Sequence, residues 1–121
     1  MEKQTNIAPI NEDLNVAVYD VEEIKQKIFT IRGKQVILDS DVAKMYHYET
    51  KYINLTVRRN KDRFPERFCF QLTKDEVKNS RGKNIKYLPY VFTEQGIAML
   101  SGLLKNEIAV QVSINIMDSF V

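Results

Sequence analysis

Residues Leu38 to Leu72, LDSDVAKMYHYETKYINLTVRRNKDRFPERFCFQL, carry the pattern from which the fold follows. Asp39 suits a helix N-cap, and Asp41 falls in the first turn, where the helix dipole favours an anion. Val42, Ala43 and Tyr46 then share one face, so this helix should close near His47. Thr50 can cap a second helix running to about Arg63. At about 100° per residue, Ile53, Val57 and Phe64 fall together with Asn60 beside them, while Lys51, Asn54, Leu55, Arg58, Arg59 and Lys61 take the other side. Pro65 disfavours helical geometry at Phe64 and ends the helix, and Phe68 to Leu72 reads as a buried strand. Two helices joined by a tight turn, the second displaying cations beside amides, form a common device for placing side chains in a DNA groove.

The second helix offers positioning and reading chemistry together. Arg and Lys can neutralise phosphates or reach guanine O6 and N7, and Asn can make a bidentate contact with adenine. A solvated helix face is also charged, but it usually mixes signs. Here Asp62 alone interrupts the cations between Lys51 and Arg63.

Upstream, Ile28 to Arg32 and Gln35 to Leu38 are β-prone runs joined by Gly33-Lys34, glycine first, as a type II′ hairpin favours. Arg32 and Lys34 would sit at its tip, in reach of phosphate or simply solvated. Val21 to Lys27 fits a short helix with a solvated face, introduced by Asp20. Residues 1–20 have no sustained periodicity and read as a flexible acidic arm, with a short extended piece at Leu14 to Tyr19 and the domain proper at 21–121.

Downstream, Thr73 to Glu76 matches a capping box, so a short helix should run to about Asn79. Ser80 to Lys86 is a basic, glycine-containing loop whose Arg81, Lys83 and Lys86 could lie along a phosphate backbone or be solvated. Tyr87 to Phe92 reads as a strand in which Pro89 suggests an edge or a bulge. Thr93 caps a helix with the stripe Ile97, Leu100 and Leu104, and Asn106 can cap a last helix. On that helix Ile108, Val112, Ile116 and Phe120 repeat along one face, and Val110, Ile114, Met117 and Val121 widen it. So broad a band implies burial on two sides, by this domain and by either a second subunit or residues after Val121. The absence of a helix C-cap at the end suits an excised domain with a further domain following.

Composition narrows the function classes. At 121 residues the chain suits one domain. No apolar run approaches the roughly 20 residues of a membrane span, and the first residues lack a secretory pattern, so a cytoplasmic protein without membrane contact is expected. Cys69 is the only cysteine and His47 the only histidine, which leaves no disulfide, no cysteine zinc site and little material for a nucleophile and its base. Neither a metal nor a cofactor is expected. Of 18 cations and 16 anions, three and six lie within residues 1–27, so the remainder carries a net charge of +5. A basic body behind an acidic leader suits a polyanion.

The strings IRGKQVILDSDVAKMY, NLTVRRNKDRFPERFCFQLT and YLPYVFTEQGIAML, with the aliphatic helix ending in MDSFV, resemble the open reading frame six N-terminal domain of the phage KilA-N superfamily. The likeness covers about Ile28 to Val121. It implies a DNA-binding domain of phage or prophage antirepressor-like proteins, commonly joined to a variable C-terminal domain. Asn54, Arg58, Arg59 and Asn60 stand on the family's Asn and its basic-Arg-Asn run, and Arg63, Phe64 and Pro65 on its Arg-Phe-Pro. Thr93 to Gly96 fill a second motif, with capping and close packing as its role. His47 replaces a frequent glycine, which requires a left-handed histidine in the turn. Asp118 stands where the family often has a basic residue, which argues against DNA contact from the last helix.

The expectation is therefore an α+β domain: a small antiparallel or mixed sheet, a helix-turn-helix-like pair and two C-terminal helices. It should bind double-stranded DNA as a transcription regulator, without catalysis. Lys51, Asn54, Arg58, Arg59, Lys61 and Arg63 would approach the groove, with Arg32, Lys34, Arg81 and Lys83 on phosphates. The alternative is a protein-interaction module, a homodimer formed through the apolar last helix. A metal-dependent nuclease would need Asp39, Asp41, Glu66, Asp75 and Glu76 to converge, although each has a simpler role as cap or surface charge.

Overall fold

The computed structural model describes residues 10–11, 16–81 and 87–121. In chain order the elements are β1 (Ile10–Asn11), β2 (Val16–Ala17), α1 (Val21–Lys25), β3 (Phe29–Ile31), β4 (Lys34–Leu38), α2 (Asp39–Tyr46) and α3 (Thr50–Arg59). A 3-10 turn at Lys61–Arg63 follows, then β5 (Cys69–Gln71), α4 (Lys74–Arg81), β6 (Tyr90–Phe92), α5 (Glu94–Ser101) and α6 (Ala109–Ser119). β1 and β2 make a small antiparallel ribbon, and the other four strands form an antiparallel sheet in the order β3-β4-β6-β5. The fold is α+β, as the sequence suggests.

Strand alternation builds two cores. Ile37, Phe92 and Cys69 lie in register across three strands and face the helices α1, α2, α3, α5 and α6. Leu38, Val91 and Phe70 form the neighbouring row on the opposite face, where Val36, Leu72 and Val77 of α4 join them. Successive residues of a strand point to opposite faces, so both sides of this short sheet are buried. Pro89 does not mark an edge: it immediately precedes β6, an interior strand paired on both sides, and its carbonyl accepts from the Leu72 amide at 2.9 Å.

Several local expectations shift by a residue or two. The hairpin turn is Arg32-Gly33, not Gly33-Lys34; φ is +53° and +73° there, the type I′ pattern, and Lys34 already pairs with Ile31. Asp39 and Thr50 are the first residues of their helices, and the capping positions are Leu38 and Glu49, neither with a side-chain cap. α3 ends at Arg59, short of Arg63, and the 3-10 turn carries the chain on to Phe64. α4 continues to Arg81, opened by the expected capping box: the Thr73 amide donates to Glu76 and the Glu76 amide to Thr73 Oγ1. Asn106 does not cap α6 but donates to the Tyr46 carbonyl at 3.0 Å, tying the approach to α6 onto the end of α2.

One face of the band on α6 is buried within the chain. Ile108, Val112 and Ile116 pack into the core, against which α1, α2 and α5 also lie. α1 is less solvated than its charges suggest, because Ile24 is buried and Asn115 and Ser119 of α6 donate to the carbonyls of Tyr19 and Val21. Val18 and Tyr19, assigned to the flexible arm, belong to the same core; residues 1–9 and 12–15 lie outside the described residues. Val110 and Ile114, 66% and 43% exposed, and Val121 remain at the surface.

Gly96 fixes the seat of α5. A Cβ there would lie 2.0 Å from the Phe68 carbonyl oxygen, so only glycine lets the helix lie this close to the chain entering β5. Thr93 anchors the same corner, accepting from the Gly96 amide and donating to the Arg67 carbonyl at 2.7 Å. Capping and close packing, the role expected for this motif, are what it performs.

Candidate nucleic-acid interface

α2 and α3 pack together across the turn His47 to Glu49. His47 takes the left-handed conformation the turn demands, with φ +66°, and its amide bonds back to Lys44. α3 then buries Ile53, Thr56 and Val57, which fixes the opposite arc outward. Along that arc stand Lys51, Tyr52, Leu55, Arg58 and Arg59, spanning about 120° on a helical wheel. Arg58 and Arg59 occupy the last turn, where cations complement the helix dipole.

Arg58, Arg59, Lys61 and Arg63 are exposed and pair with no acid among the described residues. Lys51 approaches Glu49 at 3.7 Å, with both side chains largely in water, a contact too weak to withhold it from a phosphate. Lys61 and Arg63 extend the cationic surface past the helix, and Arg63 borders an apolar hollow formed by Phe68, Met99 and Leu103.

Asn54 is not available to read bases in this arrangement. Its amide nitrogen donates to Asp39 Oδ2 at 3.0 Å, and its Oδ1 is buried without a partner. Asp39 is itself fully buried, and Oδ2 also accepts the Tyr90 amide at 3.0 Å, while the Tyr87 hydroxyl reaches Oδ1 at 3.5 Å. Burial pushes the Asp39 carboxyl above its usual range against the pull of these donors. The carboxylate therefore joins the starts of α2 and β6 to the inner flank of α3, and the expected cap is instead an internal clamp. Asn60 is likewise turned back, donating to the Thr56 carbonyl at 2.8 Å.

Arg32, though exposed, is engaged by groups of its own fold. Its guanidinium makes a bidentate pair with Glu76 at 2.8 and 2.9 Å, reaches Glu66 at 3.4 Å and the Gln71 carbonyl at 3.2 Å, and lies 4.3 Å over the Phe70 ring. Glu76 is held down to about 2, chiefly by the Arg32 hydrogen bond. This clamp fastens the hairpin turn to α4, leaving Arg32 poorly placed for phosphate. Lys34 is exposed, but it begins β4 whereas α2 starts just past its end, roughly 16 Å away along the strand. Arg81 closes α4, and Lys83 lies outside the described residues.

Cys69 is a packing residue whose thiol is pushed up to about 12, mainly by burial. Of the carboxylates weighed for metal chemistry, Asp39 is enclosed in its clamp and Glu66 and Glu76 face Arg32. Among the described residues no helix is long and apolar enough to cross a membrane.

The residue that sequence reasoning left out of the outward arc is Tyr52, while Leu55 stands on that side of the wheel without a role. Tyr52 is 38% exposed and stacks on Tyr48, ring centroids 4.6 Å apart. The helical wheel already places Tyr52 beside Arg59, and only its aromatic character hides it.

No curated protein and no solved structure matches the chain. The family model of the ORF6N domain matches residues 26–103, a span that includes the sheet, the α2-α3 pair and α5 and stops before α6. That span covers more than half of the chain and contains the three longer strings quoted from the sequence: the protein belongs to the ORF6N domain family.

Proposed function

We propose that this domain binds double-stranded DNA through the outward face of α3, as the DNA-reading part of a phage- or prophage-derived antirepressor or transcription regulator acting in the cytoplasm. The observation that carries the reading is the arc of Lys51, Arg58 and Arg59 with Lys61 and Arg63 beyond it: a run of cations with no strong internal ion pair, set on a helix whose back is clamped to the sheet. A duplex supplies the anions this surface lacks. Nothing in the proposal involves bond-making, and no metal or cofactor takes part. The test is a mobility shift with random duplex DNA at low and moderate salt. The whole chain should bind, and binding should weaken steeply with salt; failure to bind any duplex at low salt refutes the reading.

A second reading is favoured by Val110, Ile114 and Val121, which leave an apolar stripe exposed on and after α6. There the surface joins two copies of the chain, and the paired domains address two half-sites. Sedimentation at several concentrations distinguishes a dimer from a monomer, and Ile114→Asp should dissociate the dimer if this stripe is the contact.

A further inference from the structure

We propose that Leu55 reads the 5-methyl group of thymine in the major groove, an inference that rests on the duplex-binding role of α3. Leu55 is half-buried, yet it belongs to neither hydrophobic core and is not among the side chains packed against them. Its helical neighbours four and three residues before, and three and four residues after, are Lys51, Tyr52, Arg58 and Arg59, all exposed. It is therefore the one aliphatic group within an outward arc of cations, and the arc would hold it against the floor of the groove.

The chemistry of the neighbouring groups narrows what Leu55 can recognise. Asn54, the side chain on α3 best suited to adenine, has its donor held by Asp39. Tyr52 is stacked on Tyr48, which occupies its ring. Arg58 and Arg59 can address guanine or phosphate. On the major-groove edges of the four base pairs, the thymine methyl is the apolar feature, and it is the one an aliphatic side chain distinguishes.

A duplex selected by the whole wild-type chain from a random library is synthesised with deoxyuridine replacing thymidine at each position in turn. Uracil removes the methyl and leaves the pairing unchanged. One or two positions should lose about fourfold in affinity, the effect expected for one buried methyl-sized group. Leu55→Ala should bind the thymidine and deoxyuridine duplexes equally, and Leu55→Met, which keeps an apolar contact, should retain the preference. Tight duplex binding with no loss at any uracil position overturns the inference while leaving the duplex-binding reading standing. A preference that survives in Leu55→Ala also overturns it. Failure to bind any duplex overturns both. The uracil scan on the wild-type chain needs no variant, so poor folding of Leu55→Ala would not shelter the proposal.

Discussion

Asn54→Asp is a sharp probe of the clamp behind α3, because it exchanges an amide for a carboxylate of the same shape. In the wild type the Asn54 amide donates to Asp39 Oδ2 at 3.0 Å. In the variant two carboxylates face each other at that distance, in a site where Asp39 is fully buried. Two like charges 3 Å apart repel by about 5 kcal/mol at an effective dielectric of about 20. The pair avoids part of this by taking up one proton, which then donates across the gap and replaces the lost amide hydrogen. Taking up that proton against an ordinary Asp pKa of about 3.9 costs about 4 kcal/mol at pH 7 and about 1.5 kcal/mol at pH 5. The folded pair holds its proton at a pKa above the unfolded value, so its stability is present in acid and lost as pH rises through the folded value. Urea denaturation followed by circular dichroism should show a variant about 4 kcal/mol weaker than the wild type at pH 7, with most of that deficit recovered at pH 5. The double variant with Asp39→Asn, which restores one donor and one acceptor, should recover part of it at pH 7. An Asn54→Asp protein with wild-type stability at pH 7 would refute the clamp, and Asn54 would again be a candidate for reading bases.

Gly96→Ala should lose at least about 3 kcal/mol or fail to fold, because its Cβ must displace the Phe68 carbonyl 2.0 Å away; a thermal melt reads the loss directly. Glu76, held at about 2 in the folded chain against an ordinary value of about 4.5, contributes stability above pH 4.5 that is lost as pH falls towards 2. Acid titration of the melting temperature should therefore be shallower in Glu76→Gln than in the wild type, and parallel curves would argue against the Arg32 clamp. Arg58→Ala and Arg59→Ala should each reduce the slope of log affinity against log salt by about one, measured by fluorescence anisotropy on a fixed duplex, if each side chain neutralises one phosphate.

The helix pair and the Thr73 and Thr93 caps are legible in the chain because each depends on neighbours a few residues away, and the left-handed His47 follows from the family resemblance. Asp39 is not. Its position suits a cap on local grounds, and its actual partners, Asn54 and Tyr90, arrive from 15 and 51 residues downstream. Arg32 misleads in the same way: a cation at a hairpin tip looks solvated until α4 brings Glu76 alongside from 44 residues away. The turn itself slips by one residue because the pairing of Phe29 with Val36 sets the register, and that register puts Lys34 in the strand. On α6 the width of the apolar band suggests a cover from outside the domain, but Val110 and Ile114, which widen it, stay exposed, and the cover within the chain includes α1, whose single buried Ile24 is hard to see among its charges. Leu55 lies in plain view on the wheel, and only the assembled cores show that, among the described residues, it joins neither of them.

Titrating the isotope-labelled chain with duplex DNA and following its amide resonances tests the role of α3 most directly. The resonances of Lys51, Tyr52, Leu55, Arg58 and Arg59 should shift together and saturate, with those of Val110 and Ile114 on α6 unmoved. Saturable shifts centred on another surface, with α3 silent, would contradict the account.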